Sequence, residues 1–166
     1  MPNPTATLND INEDLFWSHV DKSGDCWLWT AYTSNGYGRT AARRHGVQRV
    51  FLAHRASYHL TGHVIPEGMV LDHTCHNRSC VNPAHLRPVT NKQNMEHRSG
   101  AQSDSKTGIR GVSWCATDKS WRVDARHKGK TIYGGRFADI ADAEAAAIAL
   151  RNKLFTHNDL DRKAVA

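Results

Sequence analysis

The spacing of apolar residues predicts short helices and strands along the first sixty residues. Residues 8–20 carry apolar side chains at helical intervals with acidic residues near the start, which predicts a short amphipathic helix. The run CWLWTAY predicts a strand, and the turn sequence SNGYG leads into a second strand toward Arg43, so we expect a β-hairpin. A third strand over 48–52 passes into AHRASYHLTG, whose terminal Gly62 indicates a short helix closed at its C-terminus.

The last sixty residues show a plainer pattern of strands followed by one helix. GIRGVSWC, SWRVDARH and GKTIYGGRF each have the composition of a short strand, and turn residues separate them, so we expect a three-stranded meander. From Asp139 onward, apolar residues recur at every third or fourth position, which predicts an alanine-rich helix that packs on the sheet. Asp139 and Asp142 suit the start of that helix.

These elements predict an α+β fold divided into two domains. The polar run GAQSDSKT has the composition of a linker. We therefore expect a first domain at residues 1–100, a linker at 101–107, a second domain at 108–157 and a tail at 158–166. In the first domain, helix and hairpin elements fill residues 8–62, and the segment richest in chemical groups lies at about 64–98.

The chain is basic, with a formal net charge of +6 and a sequence pI near 9.4. This charge favours a polyanionic partner, although it concerns association and not fold. No apolar run approaches the ~20 residues that a membrane span needs, and the N-terminal sequence does not read as a secretion signal. We therefore expect a cytoplasmic protein with no membrane partner.

The cysteines predict metal ligation or burial, and not a disulfide framework. Cys26, Cys75, Cys80 and Cys115 are few, unevenly spaced and accompanied by 11 histidines. Cys75 and Cys80 bracket four residues, and His85 follows after four more, a spacing that lets one loop present three soft ligands to a tetrahedral ion. The alternative is that these cysteines are small buried apolar groups and that His85 makes an ordinary polar contact.

A second chemical feature is the pair Asp72-His73 at the end of an apolar strand. It places a hard oxygen ligand beside an imidazole, the side chain that titrates near neutral pH. Asn91, Asn94 and His97 follow along a polar helix that could return toward the strand end. An isolated Asp-His pair is common in proteins, so the pair alone does not establish a catalytic site.

The ordered string VLDHTC…CVNPAHLRPVTNKQN resembles the HNH endonucleases, in particular the homing-endonuclease branch with a ββα-metal fold, and the match extends over some forty residues. The resemblance implies that His73 is the general base of phosphodiester hydrolysis, that Asp72 and Asn94 hold a divalent ion, and that Asn82 orients His73. It further implies products with a 5′-phosphate and a 3′-hydroxyl.

The resemblance also bears on which metals bind. Many HNH modules end with a histidine on the helix where this chain has Asn94, and an amide favours Mg²⁺ or Mn²⁺ over Zn²⁺ at the catalytic position. HNH relatives with the cysteine pair often carry an upstream cysteine and bind structural zinc. By this resemblance Cys26, Cys75, Cys80 and His85 form a closed zinc site, whereas Cys115 stays unliganded.

Strict alternation in SWRVDARH separates an apolar face from a charged one. Trp121, Val123 and Ala125 lie on one face, and Arg122, Asp124 and Arg126 lie on the other. A charged strand face is often simply solvated, but a strand ribbon also fits the major groove of duplex DNA.

Residues 108–155 resemble the Apetala or ethylene-response-factor DNA-binding domain, through RGVSW…KSWRVDAR…KTIYGGRF and the alanine-rich helix that follows. The resemblance places Trp121, Val123 and Phe137 in the core. It implies six DNA-facing residues: Arg110, Arg122, Asp124, Arg126, Thr131 and Tyr133.

Together these patterns predict a phage or mobile-element endonuclease that acts on double-stranded DNA in the cytoplasm of an infected bacterial host. The rival interpretation is a zinc-braced DNA-binding regulator that does not cut. Monomer and homodimer are equally compatible with the sequence. The basic run AARRHGVQR receives no role at this stage, because a solvated strand face explains it equally well.

Overall fold

The fold is known from a computed structural model, which describes residues 5–98 and 100–163. The chain divides into two compact units, Met1–Thr90 and Asn91–Ala166. Both units mix helices with small antiparallel sheets, so the α+β class predicted from the sequence is confirmed. The division falls before the segment that the sequence assigns to a linker, at 101–107. In the described part of the chain, every helix is too short or too polar to cross a membrane.

The first unit begins with two short helical turns where the sequence predicts one helix over 8–20. A 3-10 turn spans Leu8–Asp10, and helix α1 spans Glu13–Ser18. Asn12 separates them because its backbone is extended and its side chain accepts a hydrogen bond from the Leu15 amide at 2.9 Å. The capping residue thus restarts the helix, and the prediction of a continuous helix is wrong.

The next strands are shorter than the sequence predicts. Strand β1 (Val20–Asp21) pairs with β2 (Leu28–Trp29). Of the strand predicted for CWLWTAY, only the two residues of β2 are extended in a sheet. The predicted hairpin exists, but β3 (Thr33–Ser34) is the strand that pairs with β4 (Tyr37–Arg44). Its turn contains Asn35 and Gly36, both with positive φ, which is the geometry of a two-residue hairpin loop.

Strand β4 continues into a second hairpin and a helix, as predicted. Strand β5 (Val47–Leu52) pairs antiparallel with β4, and helix α2 (Ala53–Leu60) follows directly. Gly38 on β4 lies so close to the Trp29 ring that a Cβ at this position would stand 2.6 Å from it. Glycine is therefore required for β4 to pack on the core of the first unit.

The remaining elements of the first unit form a two-stranded sheet around the chemically dense segment. Strand β6 (Val70–His73) pairs antiparallel with β7 (Leu86–Val89), so that His73 lies opposite Leu86. The connecting loop contains a 3-10 turn at Pro83–His85. Two small groups of buried side chains stabilise the unit: Ala6, Ile11, Phe16, Trp29, Ala42, Ala53, Ala56 and Val81 in one, and Tyr58, Leu71 and Leu86 in the other.

The second unit contains the predicted three-stranded sheet and its helix. Helix α3 (Asn91–Glu96) comes first, followed by strands β8 (Val112–Cys115), β9 (Ser120–His127) and β10 (Lys130–Phe137), which pair in the order β10-β9-β8. Helix α4 (Ile140–Leu154) packs on this sheet, and the Asp139 side chain caps its start. Val112, Val123, Ala143 and Ala147 form the buried core, with Trp121 and Phe137 packed against it, as predicted.

Helix α3 is anchored within the second unit by side chains from distant parts of its sequence. Arg110 donates hydrogen bonds to the carbonyls of Met95, Glu96 and Arg98, which closes the C-terminal end of the helix. The buried Glu96 carboxylate accepts hydrogen bonds from the amide and hydroxyl of Thr156. Helix α3 is therefore held by the segments before β8 and after α4.

The segment that the sequence assigns to a tail is partly helical. Helix α5 spans Asp159–Lys163, and Asn158 before it is buried. Asp161 accepts two hydrogen bonds from the buried Arg151 guanidinium, at 2.6 and 2.9 Å. This bidentate ion pair attaches α5 to α4.

Candidate functional site

The imidazole of His73 occupies a defined orientation at the end of β6. Its Nε2 lies 3.0 Å from the backbone oxygen of Cys80, and the residue is buried. Because a carbonyl oxygen only accepts hydrogen bonds, Nε2 must carry the proton in the neutral ring. Nδ1 is then the basic nitrogen, which is the arrangement that a general base requires.

The surroundings of His73 favour its neutral form. Burial lowers the pKa of His73 below the ordinary value of 6.5, although the Cys80 carbonyl and the Asp72 carboxylate oppose that shift. The ring also packs in an aromatic group with His54 and Tyr37, at centroid distances of 4.8 and 6.0 Å. His73 is thus a neutral, oriented imidazole near physiological pH.

His54 is a buried residue that the sequence analysis did not single out. Only 4% of its surface is exposed, and burial lowers its pKa to about 3, with further contributions from His73, Arg55 and Arg39. Its ring is edge-on to His73 and tilted against Tyr37. The only sequence signal was its position on the amphipathic helix α2, facing the core.

Asp72 stands beside His73 and is engaged by an arginine on the neighbouring strand. Its Oδ2 lies 3.1 Å from Nε of Arg87, which is the residue directly opposite Asp72 in the β6–β7 pairing. The Asp72 carboxylate is largely buried, so this ion pair neutralises a charge that would otherwise be costly inside the unit.

The hydrogen bonds of the Asn82 side chain reach Asp25 and Ala84. Its amide nitrogen donates to the backbone oxygen of Asp25 at 2.8 Å, and its side-chain oxygen accepts from the Ala84 amide at 3.1 Å. The hydrogen bond that orients His73 comes instead from the Cys80 carbonyl. Asn82 thus fixes the loop between β6 and β7, and its expected role in orienting His73 stays a prediction.

Asn94, the second expected ligand of the catalytic ion, lies on α3 in the second unit. Its side chain is exposed, whereas His97 one turn later is buried and lies 3.3 Å from the Asp159 carboxylate. Asp72 and His73 belong to the first unit, and the role of Asn94 as a metal ligand stays a prediction.

The four residues predicted to bind zinc come together in the first unit. One ligand atom from each of Cys26, Cys75, Cys80 and His85 lies within 4.8 Å of all the others. Nδ1 of His85 is 3.6 Å from Sγ of Cys26 and 3.5 Å from Sγ of Cys80. Ligands at zinc-sulfur and zinc-nitrogen distances of about 2.3 and 2.1 Å would stand about 3.6 Å apart around a tetrahedral ion, so the group fits zinc.

Two further features of this group match the chemistry of a zinc site. Nε2 of His85 lies 3.4 Å from the Asp25 carboxylate, and zinc-bound histidines commonly direct their second nitrogen to such an acceptor. Burial raises the pKa of the Cys80 thiol to about 12; the Asn82 amide opposes that shift, and Cys75 and Cys26 reinforce it. A cation bound here would therefore displace protons from the thiols. Cys115 lies on β8 in the other unit, as expected.

Cys80 connects the cysteine group to the candidate base. Its Sγ faces Cys26, Cys75 and His85, whereas its backbone oxygen holds the proton-bearing nitrogen of His73. Sequence analysis missed this second role because any residue can supply a backbone carbonyl, so the amino-acid type carries no signal.

The sheet of the second unit presents most of the expected DNA-facing residues on one side. Cross-strand pairing places Tyr133 opposite Asp124 and Thr131 opposite Arg126. Arg122 forms an ion pair with Asp124 at 2.8 Å and lies over the Tyr133 ring. The exposed Arg126 makes no ion pair with any described residue, which leaves its charge available to a partner.

Arg110 lies apart from that face. It precedes β8, and its guanidinium is directed toward the end of α3 and the Phe155 ring. Burial lowers the pKa of the Arg110 guanidinium below its ordinary value, and the nearby charge of Arg151 adds to the shift. In this structure the donors of Arg110 are engaged in closing the helix, and its expected contact with DNA stays a prediction.

Comparisons with known proteins agree with the HNH resemblance over part of the chain. The family model of the HNH endonucleases matches residues 51–96, which include Asp72, His73 and Asn82. Two proteins of Escherichia phage T7, Protein 2.8 and Protein 7.7, are 36% and 37% identical to this chain over 73 residues. No solved structure matches the chain.

The matched regions are partial on both sides. They cover 43% of this chain and 48% and 53% of the two phage proteins, so the chain spans about half the length of the curated relatives that it matches. The expected HNH domain is thus confirmed for residues 51–96. The resemblance of residues 108–155 to the Apetala domain stays a prediction.

Proposed function

We propose that this protein is a metal-dependent DNA endonuclease of the HNH type that hydrolyses phosphodiesters to 5′-phosphate and 3′-hydroxyl ends. The observation that carries the proposal is the hydrogen bond between His73 and the Cys80 carbonyl, inside the segment that matches the HNH family. This bond gives the imidazole the protonation pattern and orientation of a general base.

In the proposed mechanism His73 accepts a proton at Nδ1 from the water that attacks the phosphorus. Asp72 and Asn94 would hold the ion, since they offer the oxygen ligands that Mg²⁺ or Mn²⁺ prefers. The ion would stabilise the negative charge that develops on the phosphate and on the leaving 3′ oxygen, which takes its proton from solvent. Asn82 keeps the β6–β7 loop in place through its bonds to Asp25 and Ala84.

The cysteine group has a structural role in this proposal. Zinc held by Cys26, Cys75, Cys80 and His85 would brace the loop whose carbonyl orients His73. The second unit holds the enzyme on duplex DNA through the open face of its sheet, with Arg126 as its available cation. We further propose a homing-type enzyme that works in the cytoplasm of a phage-infected bacterium, in keeping with its T7 relatives.

The test is cleavage of supercoiled plasmid in the presence of Mg²⁺, Mn²⁺ or a chelator. We expect the wild type to nick or linearise the plasmid with either metal and to leave it intact with the chelator. His73→Ala should lower the rate by at least about 100-fold, the usual contribution of a general base. His63→Ala, a change at an exposed histidine of the same unit, is the matched control and should retain the rate.

The rival function is a DNA-binding regulator that does not cut. The Asp72–Arg87 ion pair favours it, because an arginine already neutralises the carboxylate expected to bind the ion. That function predicts duplex binding without plasmid conversion under any of the three conditions. Equal conversion by the wild type and His73→Ala would remove His73 from the mechanism.

A further inference from the structure

The β4–β5 hairpin, residues 37–52, carries positive charge with almost no internal compensation. Between Asp25 and Glu67 the sequence contains five arginines and no acidic residue, and four of those arginines lie on this hairpin. Among the described residues, the ion pair that reaches the hairpin joins Arg44 to Asp10 at 3.9 Å. The hairpin is thus a basic ribbon whose charge calls for an anionic partner.

The two faces of the ribbon differ in what they contact. Gly38 and Ala42 face the core of the first unit, and Arg44 and Arg49 lie on that same side. The opposite side, which we call the outer face, is formed by Arg39, Ala41, Arg43, Gln48 and Val50. Arg43 donates to Gln48 across the strands at 3.1 Å, and 56% of Val50 is exposed.

The outer face begins beside the candidate general base. Tyr37 is the first residue of β4 and shares this side of the strand; its ring centroid lies 6.0 Å from that of His73. At a rise of about 3.3 Å per residue, Arg43 stands about 20 Å farther along the strand. That distance corresponds to about six base pairs at the ~3.4 Å spacing of duplex DNA.

We propose that the outer face of the β4–β5 ribbon docks in the major groove of duplex DNA and carries the phosphodiester backbone to His73. A two-stranded ribbon fits the width of that groove, and arginine and glutamine are side chains that bind the edges of guanine and adenine. The inference rests on the proposed nuclease function. It concerns residues that precede the segment 51–96 matched by the HNH family.

The side of the ribbon opposite the outer face supplies a control for the effect of charge alone. Arg49 lies over the Phe51 ring, 5.2 Å from its centroid, on the side opposite Arg43. Both arginines are exposed, and glutamine preserves most of their length while removing the charge. Arg43→Gln and Arg49→Gln therefore change the net charge equally and differ in the face that they alter.

The experiment measures binding of the full-length His73→Ala protein, alone and with each arginine substitution, to a labelled 30-base-pair duplex. We expect Arg43→Gln to weaken binding about tenfold, the loss of one base-edge contact. It should also reduce the slope of log Kd against log salt by about 0.9, because one cation close to the phosphates is removed. Arg49→Gln should weaken binding less than about twofold, because it removes only distant attraction.

A footprint on a duplex that contains a mapped cut site gives the second readout. Protection about six base pairs to one side of the cut should disappear with Arg43→Gln and persist with Arg49→Gln. Equal losses for the two variants, or no loss for either, would overturn the ribbon proposal. So would tighter binding of the protein to anionic lipid vesicles than to the duplex.

Failure of the nuclease function gives a different result. If the wild type neither binds nor cuts DNA, the proposed function fails and the ribbon proposal fails with it. If the wild type cuts the plasmid and Arg43→Gln matches it in affinity, salt dependence and footprint, only the ribbon proposal is wrong.

Discussion

The two units of this protein stabilise their folds by different means. The first unit distributes ninety residues over several sheets of two or three strands, and β1, β2 and β3 are only two residues long. The second unit has one sheet packed on one fifteen-residue helix. Strands that short contribute few ladder hydrogen bonds, so the first unit depends more on cross-links between its loops.

Those cross-links differ in kind. In the first unit the cross-link is the cysteine-histidine group, whose members are separated by up to 59 positions along the chain. In the second unit the cross-links are buried charged groups. Arg151 pairs with Asp161, and Glu96 pairs with Lys92 and accepts a hydrogen bond from Thr156. We therefore expect the first unit to lose stability when a bound metal is removed, and the second unit to lose stability when a buried charged side chain is removed.

Metal removal should produce the largest effect. We expect one zinc per chain, and chelation should unfold the first unit, because structural zinc sites contribute about 10–16 kcal/mol of apparent binding free energy. Cys80→Ser should abolish zinc binding, whereas Cys115→Ser in the second unit should leave it unchanged. Elemental analysis of the purified variants measures the stoichiometry, and equal zinc content in both would contradict the zinc assignment.

Breaking the buried ion pair of the second unit should have the next largest effect. Arg151→Ala leaves Asp161 without its bidentate partner and should lower the free energy of unfolding by about 3–5 kcal/mol. Arg122→Ala, in an exposed pair of the same unit, should cost at most about 1 kcal/mol. Urea unfolding measures both, followed by tryptophan fluorescence in a background that replaces Trp17, Trp27 and Trp29 of the first unit by phenylalanine. Similar costs would mean that burial does not distinguish the pairs.

The buried His54 should make the first unit sensitive to acid. Its pKa falls from 6.5 to about 3 on folding, so the unfolded chain binds a proton below pH 6.5 that the folded chain excludes. The contribution is therefore constant above pH 6.5 and declines by about 1.4 kcal/mol per pH unit below it, until about pH 3. At pH 4.5 the loss is about 3 kcal/mol.

Substitution isolates this histidine from the other titrating groups. His54→Leu should reduce the slope of unfolding free energy against pH between 6.5 and 4.5, leaving the smaller part that the buried His73 contributes. The exposed His63→Leu should leave the slope of the wild type. An unchanged slope in His54→Leu would show that folding does not lower the pKa of His54.

The smallest expected effect concerns the start of α4. Asp139 accepts a hydrogen bond from the Ala141 amide at 2.7 Å, and Asp139→Ala should cost about 1 kcal/mol. Asp142→Ala removes a charge from the same turn without removing the cap, and should cost about 0.5 kcal/mol. Thermal unfolding in high salt separates the two, because only the charge effect is screened.

Much of the second unit was predictable because local patterns determine it. Alternation in SWRVDARH separated the buried Val123 and Ala125 from the exposed Arg122 and Arg126, as the structure has them. Asp139 was a visible helix cap. In the first unit, the spacing of Cys75, Cys80 and His85 predicted three of the four residues of the observed group. The resemblance to HNH relatives with an upstream cysteine added Cys26.

The parts that sequence could not predict depend on contacts between distant residues. The resemblance to the Apetala domain assigned Arg110 to the DNA-facing set, and nothing local indicated that the end of α3 would take its donors. The resemblance assigned Asn82 to orient His73, but the group that accepts the hydrogen bond of the His73 ring is the backbone oxygen of Cys80. The break at Asn12 followed from a single cap, which competed with otherwise helical spacing.

The anchoring of α3 has a consequence for how such genes exchange their parts. The HNH match runs through residue 96, yet the helix at its end is fastened by Arg110 and Thr156, which lie well beyond it. Recombination in the polar segment at 101–107 would separate helix α3 from Arg110 and Thr156, the two residues that hold it. A crossover near Thr90 would transfer the helix together with Arg110 and Thr156, so we expect productive chimeras to join there, inside the region of the HNH match and not behind it.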